Sequence, residues 1–327
     1  MKAIEAWMER LRWQAVAHPC HVVLPEGQEP CVLEAAALLQ RQGMARFTLL
    51  GDLPALAASA RGLEDVTLRD PATDEDRHEL AGAYFERRSA KGITPERARE
   101  AMGHPLWFAA LMAEQGMADA LLTGLAHPMS ESLRAGVQGL GLAPGSTGPV
   151  ALSLVLHPDP SLGEEGALII ADTGAVMEPD AEALVAIALE AARTCRKLLQ
   201  VEPRVALVSA SHRGSLDHPG AEKVRRALAL LRERAPELKL EGEVHLDAAL
   251  RHRPGDGPAT WASANVLVFP GLDAADAAWR GAVTFGGAVA FGPLIAGLTR
   301  PLFHLPEGCT AQHLADHVAL AALMGAP

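Results

Sequence analysis

Several groups that bind anions follow a short apolar run in the second half of the sequence. Residues 205–208 have the composition of a buried strand, and residues 209–219 continue as a loop of small and hydroxylic residues. Such a turn presents backbone amides and hydroxyls in a concave arrangement that suits phosphate oxygens. It lacks the Gly-Lys-Ser/Thr ending of a Walker loop and the glycine spacing of a dinucleotide fingerprint. Two alternatives stay open, an anion site or an ordinary surface turn, and the residues that would bind the anion are Ser209, Ser211, Gly214 and Ser215.

Two arginines are candidates for holding the same anion. The planar guanidinium of Arg88 or Arg134 can bind a phosphate group through two parallel hydrogen bonds, although a single arginine is more often a solvated surface charge. Arg134 follows the apolar run 120–124, so we expect the polar residues between them to face a cleft. We predict that Ser130 caps the next helix and that Arg134 lies in its first turn. The other polar candidates for binding a substrate here are Thr123, His127 and Ser132.

Two other kinds of chemistry are disfavoured by residue spacing. The 13 histidines do not fall into the spacing of metal ligands. No serine lies in the Gly-x-Ser-x-Gly elbow of a nucleophilic hydrolase. We therefore predict no metal centre and no serine nucleophile.

Composition limits the class of protein further. The chain has 327 residues and a formal charge of −11, which disfavours a general nucleic-acid or anionic-membrane surface. Of its residues, 49% are hydrophobic but only 4% aromatic, which suits aliphatic helices packed on a parallel sheet. No apolar run reaches the ~20 residues of a membrane span, and the charged start is unlike a signal peptide. We expect a cytoplasmic protein with reduced thiols at the scattered cysteines Cys20, Cys31, Cys195 and Cys309.

Strands and helices alternate along the whole chain, which predicts an α/β fold. In the first half, residues 21–24 and 47–50 are predicted strands joined by a helix that ends at Gly43, the crossover of a parallel sheet. In the second half, helix 182–199 has Asp180 as its predicted N-cap. Residues 139–148 are rich in glycine and proline, and we place a hinge there. The predicted domains are 1–147 with 296–327, and 148–295.

Residues 265–297 contain a further candidate for a ligand site. A buried strand at 265–270 leads through Gly271 into an alanine-rich helix, and no ionisable side chain occurs from 281 to 299. In open α/β sheets, ligands bind at such strand-to-helix turns. The alternative is a glycine-tolerant core crossing without a function.

Seven segments of the sequence together indicate a family. They are Leu-Pro-Glu-Gly at 24–27, Lys-Gly-Ile-Thr at 91–94, Ala-Asp-Ala-Leu-Leu-Thr-Gly at 118–124, Glu-Pro-Arg-Val-Ala-Leu-Val-Ser at 202–209, Gly-Glu-Val-His-Leu-Asp-Ala-Ala at 242–249, Asn-Val-Leu-Val-Phe-Pro-Gly-Leu-Asp at 265–273 and Gly-Pro-Leu-Ile-Ala-Gly at 292–297. In consistent order, they resemble phosphate acetyl- and butyryltransferases. Residues 204–249 are also similar to the phosphotransacetylase-like C-terminal domain of large malic enzymes.

The resemblance implies a fold, an activity and an assembly. The fold would be two three-layer α/β/α domains with a cleft between them, like isocitrate and isopropylmalate dehydrogenases, in a homodimer. The activity would be transfer of a short acyl group between coenzyme A and inorganic phosphate. Acyl-CoA, phosphate and acyl phosphate would be substrates, with no permanently bound cofactor and no nucleic-acid or membrane partner.

The resemblance also assigns roles to individual residues. Arg88 and Arg134 match arginines that hold phosphate and acyl phosphate in the family, and the loop 209–215 matches its phosphate and ligand loop. Either Asp217 or Asp273 would be the nearby carboxylate, and the choice between them stays open. Thr284 is a further predicted substrate-binding residue.

Three departures from the family pattern favour an alternative function. Thr284 and Cys31 stand where the active transferases have arginines, and Val176 stands where they have an asparagine. A cation that stabilises charge on phosphate and carbonyl oxygens typically contributes about 100- to 1000-fold in rate. The alternative to an active transferase is therefore a catalytically inactive acyl-CoA-sensing or assembly module.

Overall fold

The computed structural model describes residues 2–40, 45–251 and 263–325. Two compact units are present in the chain. We call Leu11–Pro149 with Gly297–Pro327 the outer unit, because its two segments flank the other unit in sequence. Met1–Arg10 with Val150–Ala296 form the central unit.

The described residues contain helices and strands in alternation, as predicted for an α/β protein. The helices are α1 (Lys2–Val16), α2 (Pro30–Gln40), α3 (Leu53–Ser59), α4 (Arg77–Arg88), α5 (Pro95–Ala101), α6 (Pro105–Glu114), α7 (Met129–Ala135), α8 (Ala181–Leu199), α9 (Pro219–Arg234), α10 (Leu246–Leu250), α11 (Leu272–Gly286) and α12 (Ala311–Gly325). The strands are β1 (Cys20–Leu24), β2 (Ala45–Leu50), β3 (Val66–Arg69), β4 (Ala120–Thr123), β5 (Val150–Leu156), β6 (Ala167–Ala171), β7 (Arg204–Val208), β8 (Lys239–Val244), β9 (Val266–Val268), β10 (Val289–Ala296) and β11 (Leu302–His304). None of these helices combines the length and apolar character needed to cross a membrane.

In the outer unit, five parallel strands lie in the order β3-β2-β1-β4-β11. Strand β4, which lies between β1 and β11, is buried along its whole length, as expected for a parallel strand covered on both faces. Helix α12 packs on α2 and on β1, and its residues 314–323 are all buried. Since α12 and β11 follow the central unit in sequence, the C-terminal segment completes the core of the outer unit.

In the central unit, six strands lie in the order β10-β5-β6-β9-β7-β8. Strand β5 is antiparallel to β10 and β6, whereas β6, β9, β7 and β8 are mutually parallel neighbours. Helix α8 packs on β6 and β9 and contacts α9. Asp180 accepts a hydrogen bond from the amide of Ala183 at 2.8 Å, which confirms it as the N-cap of α8.

Three neighbouring strands of the outer unit place polar groups at one edge of its sheet. Strands β1, β4 and β11 are adjacent and parallel, so their carboxyl ends point the same way. Glu26 lies two residues after β1, Gly124 follows β4 and His304 ends β11. Parallel sheets bind ligands at this end of their strands.

The predicted cap of α7 was wrong. The helix begins at Met129 after Pro128, whose extended ψ of 156° makes it the capping position, and no side chain caps the helix. Ser130 therefore lies inside the first turn. Arg134 lies in the last turn of α7 rather than in the first, because the helix is only seven residues long.

Several short elements were not predicted. Strand β3 lies in the acidic stretch 61–76, where only four residues pair with β2. Strand β10 crosses Gly292-Pro293 by shifting its register against β5 between Phe291 and Leu294. A proline without an amide hydrogen is tolerated at such an irregularity. The predicted helix end at Gly43 lies outside the described residues.

Candidate active site

A buried carboxylate organises the carboxyl ends of β1 and β4. One oxygen of Glu26, Oε1, accepts hydrogen bonds from Thr123 Oγ1 at 2.8 Å, from the amide of Gly124 at 2.9 Å and from His127 Nδ1 at 2.7 Å. The other oxygen, Oε2, is buried and has no hydrogen-bond partner in the described residues. Three hydrogen bonds to one oxygen thus fix the carboxylate of Glu26.

His127 and Glu26 shift each other's pKa in opposite directions. The hydrogen bond to Glu26 raises the pKa of His127 above its ordinary value, against the effect of burial. Burial tends to raise the pKa of Glu26, but its hydrogen bonds with His127, Gly124 and Thr123 outweigh burial and lower it. Because Nδ1 of His127 is held by the carboxylate, Nε2 is the nitrogen left for chemistry.

A second pair lies at the end of β11. Ser132 Oγ and His304 Nδ1 are 3.0 Å apart, and Ser132 is fully buried. Burial lowers the pKa of His304, and the nearby Glu26 only partly offsets this. His304 is therefore a neutral histidine at neutral pH, beside the more basic His127.

An open cavity of about 660 Å³ lies in the outer unit beside these groups. Arg134 lines it, with its Cζ 5.5 Å from the ring centroid of Trp107 and its Nη2 4.0 Å from Glu131 Oε1. The side chain of Arg134 is 55% exposed, so its charge is available to a ligand. The residues lining the cavity are Tyr84, Arg97, Glu100, Ala101, His104, Trp107, Glu131, Arg134 and Gln138.

His104 connects this cavity with His127. Their ring centroids are 5.4 Å apart, and His104 also contacts the edge of the Trp107 ring at 5.1 Å. Burial lowers the pKa of His104, with further lowering by His127 and Arg134. Imidazole, guanidinium and carboxylate groups are therefore combined within one region of the outer unit.

The structure brings together four of the predicted site residues and separates others from them. Arg134 lies on the cavity, His127 and Thr123 are hydrogen-bonded to Glu26, and Ser132 is paired with His304. Arg88, at the end of α4, does not line the cavity. Its neighbour Arg87 is held in the structure by an ion pair with Glu114.

The loop 209–219 already holds an anion supplied by the protein. Glu243, which is only 2% exposed, accepts hydrogen bonds from Ser211 Oγ and from the amide of Gly214, the latter at 2.8 Å. Arg225 Nη1 lies 3.0 Å from the other oxygen of Glu243. Ser211 and Gly214, two groups predicted to bind phosphate, therefore bind an internal carboxylate.

The other residues of this loop are placed differently. Ser209 lines a cavity of about 290 Å³ in the central unit together with Asp273. Ser215 is exposed, and its Oγ accepts from the amide of His212 at 2.9 Å. Asp217 is exposed and does not line that cavity, and Thr284 is exposed near the end of α11.

Three residues of this region, Glu26, His104 and His304, were not predicted as site residues. In the sequence, Glu26 stands out only as part of a family motif, although its position just after a buried strand is a usable signal. His104 precedes Pro105 at a helix start, and its ring accepts from the amide of Leu106 at 3.3 Å. His304 is the last residue of the three-residue strand β11, which was not predicted.

Comparisons with known proteins settle the family. The family described as phosphate acetyl/butaryl transferase matches residues 6–322. This chain belongs to that family. A phosphate acetyltransferase of Paracoccus denitrificans is 38% identical over 97% of this chain and 98% of its own length. A crystal structure of a phosphotransacetylase from Streptococcus pyogenes superposes with a TM-score of 0.90, at 26% identity over 98% of both chains.

The prediction of a phosphate acyltransferase is thereby confirmed. The similarity to malic enzymes is confirmed as well, since an NADP-dependent malic enzyme of Escherichia coli strain K12 is 34% identical over 96% of this chain. This phosphate acyltransferase spans 42% of that malic enzyme but nearly the whole Paracoccus protein. Three phosphate acetyltransferases are 32–38% identical over at least 92% of this chain, which favours the enzyme over the inactive sensing module.

Proposed function

We propose that this enzyme transfers an acetyl group between coenzyme A and inorganic phosphate at the network around Glu26 and His127. The observation that carries the proposal is the histidine held at Nδ1 by a buried carboxylate, beside a cavity lined by Arg134. A histidine oriented in this way is suited to accept a proton through Nε2. An exposed guanidinium is suited to hold phosphoryl oxygens.

The reaction on acetyl phosphate and coenzyme A then proceeds in one displacement. His127 Nε2 accepts the thiol proton, and the thiolate sulfur forms a bond to the carbonyl carbon of acetyl phosphate. The bond between that carbon and the bridging phosphate oxygen breaks, and inorganic phosphate leaves with the electron pair. Arg134 stabilises the charge that builds on the phosphoryl oxygens, and preorganised cations of this kind lower the barrier. The reverse reaction uses the same groups in the opposite order.

The proposal is tested by measuring the release of the coenzyme A thiol. Purified enzyme is mixed with acetyl-, propionyl- or butyryl-CoA and phosphate, and free coenzyme A is measured. We expect release with all three and the highest kcat/KM with acetyl-CoA, because the relatives at 32–38% identity are phosphate acetyltransferases. Absence of thiol release with every acyl-CoA would contradict the function, and a preference for butyryl-CoA would contradict the choice of acetyl.

The finer architecture belongs to the same proposal. Two three-layer α/β/α domains of the isocitrate-dehydrogenase type, 1–147 with 296–327 and 148–295, would enclose the substrates in a cleft between them. The alternation of strands and helices in each unit supports this arrangement. A crystal structure with coenzyme A bound would test it, because the ligand should contact both domains.

A homodimer formed through the central unit is also part of the proposal. Its support is exposed apolar surface near the end of α11, where Phe285 is 91% exposed and Val283 and Val289 are more than a third exposed. Light scattering at micromolar concentration should give twice the mass of 34.4 kDa. A monomer under these conditions would contradict the dimer.

The proposed function also includes where the enzyme works and which partners and cofactors it does not need. The enzyme would work in the cytoplasm on acyl-CoA, phosphate and acyl phosphate, without nucleic-acid or membrane partners. It would need no permanently bound cofactor, since thiol and phosphate supply the reacting groups. Full activity after exhaustive dialysis against a chelator is the expected result.

A further inference from the structure

We propose that His104, His127 and Glu131 form a binding site for a divalent transition-metal ion, and that an ion bound there inhibits acyl transfer. Each residue offers one ligand atom, and the three atoms lie within 4.8 Å of one another. His127 and Glu131 are four residues apart, on either side of the start of α7, and His104 comes from the start of α6. Two neighbouring helix starts thus bring the ligands together.

The donor set selects the kind of ion. Two imidazole nitrogens and one carboxylate oxygen suit Zn²⁺, Co²⁺ or Ni²⁺, whereas Mg²⁺ and Ca²⁺ prefer sites made of oxygen. Three protein ligands leave at least one position for water or a phosphate oxygen. His104 is exposed, so the ion can enter from solvent through the cavity.

The environment of His127 supports coordination. Metal-binding histidines usually donate their other ring N–H to a carboxylate, which fixes the tautomer and strengthens the ligand. Glu26 Oε1 already lies 2.7 Å from His127 Nδ1 and is itself held by Thr123 and Gly124. Glu26 therefore gives His127 the carboxylate support that metal-binding histidines usually have, from a residue far away in sequence.

Coordination requires two small rearrangements. The ring of His104 accepts from the amide of Leu106 at 3.3 Å, and this long hydrogen bond is lost when the opposite nitrogen takes the ion. Glu131 gives up its 4.0 Å ion pair with the exposed Arg134. Both contacts are weak, so the ligands can reorient, but the nearby guanidinium lowers the affinity for a cation. The site is therefore suited to reversible binding of an ion rather than to a permanently bound ion.

The ion is expected to inhibit acyl transfer because it binds the same nitrogen of His127 that accepts the thiol proton. The inhibition, unlike the binding, rests on the proposed function. An ion on Nε2 of His127 removes the group that accepts the thiol proton. Zn²⁺ should then reduce kcat, and an excess of chelator should restore it. The binding of the ion is independent of whether His127 is the base.

The experiment uses the whole enzyme after removal of metals with a chelator. Co²⁺ is titrated while visible absorption is recorded, because histidine nitrogen in a site of low coordination number gives intense bands. Zn²⁺ binding is measured by calorimetry. The variants are His104→Asn, which keeps a residue favoured at a helix N-cap, and Glu131→Gln, which removes charge at constant shape. The control is His18→Asn, an exposed histidine outside the site.

We expect saturable binding of one ion per chain, weakened at least about tenfold by either site variant and unchanged by the control. In each protein, inhibition is expressed relative to its own metal-free rate, and both site variants should need higher Zn²⁺ concentrations. Absence of saturable binding, or equal binding by both site variants and wild type, would overturn the site. Binding as expected with undiminished activity would overturn only the inhibition. Binding by an enzyme without acyl-transfer activity would leave the site standing and refute the proposed function.

Discussion

Nδ1 of His127 lies 2.7 Å from Oε1 of Glu26, and this carboxylate is almost fully buried at the end of β1. The pair joins a histidine from the loop after β4 to a strand that precedes it by about a hundred residues. It fixes which nitrogen of His127 is available and raises the pKa of the ring. The proposed proton acceptor of the enzyme is thus defined by a residue that does not itself need to touch the substrate.

Glu26→Gln should move the pH profile of acyl transfer. Since Glu26 raises the pKa of His127, loss of the carboxylate lowers it, and the acid limb of kcat/KM for coenzyme A shifts to lower pH. The maximal kcat/KM at high pH should fall about tenfold or more, because the imidazole of His127 is less basic and less well oriented. The control is Glu64→Gln, an exposed glutamate of the same unit. If the folded Glu26→Gln enzyme keeps the acid limb of its pH profile at the same pH, Glu26 does not set the pKa of the catalytic group.

Arg134→Ala should damage turnover and leave stability nearly unchanged. A charge-assisted contact with a transferring phosphoryl group is worth about 100-fold or more in kcat/KM for acetyl phosphate. The side chain is 55% exposed, so its loss removes little packing. Arg99→Ala is the matched control, since Arg99 is 53% exposed on the nearby helix α5. Equal rates in the two variants would show that Arg134 does not hold the phosphoryl group.

Glu243→Gln should affect stability rather than phosphate binding. The substitution removes the charge that Arg225, Ser211 and the amide of Gly214 share, and we expect a loss of about 1–2 kcal/mol in the free energy of unfolding. KM for phosphate should stay constant, because the loop is already filled by a carboxylate. Denaturant unfolding and initial rates measure the two effects. The control Glu241→Gln breaks a more exposed ion pair with Arg213 and should change stability less. A lower KM for phosphate in Glu243→Gln would mean that the loop is a substrate site after all.

His317 should make the enzyme sensitive to acid. Burial, with a smaller contribution from His313, lowers the pKa of His317 to about 3 from an ordinary value of 6.5. Between these values the unfolded chain binds a proton that the folded protein does not, so stability is lost as the pH falls below 6.5. The loss from this group amounts to about 2 kcal/mol at pH 5. His317→Leu should therefore show a shallower decline from pH 7 to pH 5 than wild type or the exposed-site control His78→Asn. Parallel declines would show that His317 does not titrate in this way.

The sequence was informative about elements with strong periodicity and caps. Helix α8 and its N-cap Asp180 were predicted because nineteen residues repeat one apolar face. Strand β10 was missed because Gly292-Pro293 reads as a chain break, whereas a register shift against β5 accommodates it. Short strands such as β3 and β11 contain too few residues to show a period, and neighbouring strands supply their stability.

The candidate site was predictable only in part. His127 and Arg134 follow a recognisable strand end, so local sequence pointed to them. The partners Glu26, His104 and His304 lie 23 to about 180 residues away from His127 in sequence, and only the strand order brings them close. The proposed metal site could not be predicted from histidine spacing for the same reason, because His104 and His127 precede different helices. The filled loop around Glu243 could not be foreseen either, because its occupant comes from the next strand, β8.

The division of the outer unit into two segments has a consequence for how the protein is made. Residues 150–296 emerge from the ribosome as one continuous stretch, so the strands of the central unit can pair during synthesis. The outer unit cannot be completed from residues 11–149 alone, because β11 and the buried helix α12 are translated after the central unit. Until then, β4 pairs with β1 but lacks its other neighbour β11, and α2 exposes the surface that α12 covers. The half-made outer unit is therefore the stage at which a nascent chain of this enzyme most needs protection by a chaperone.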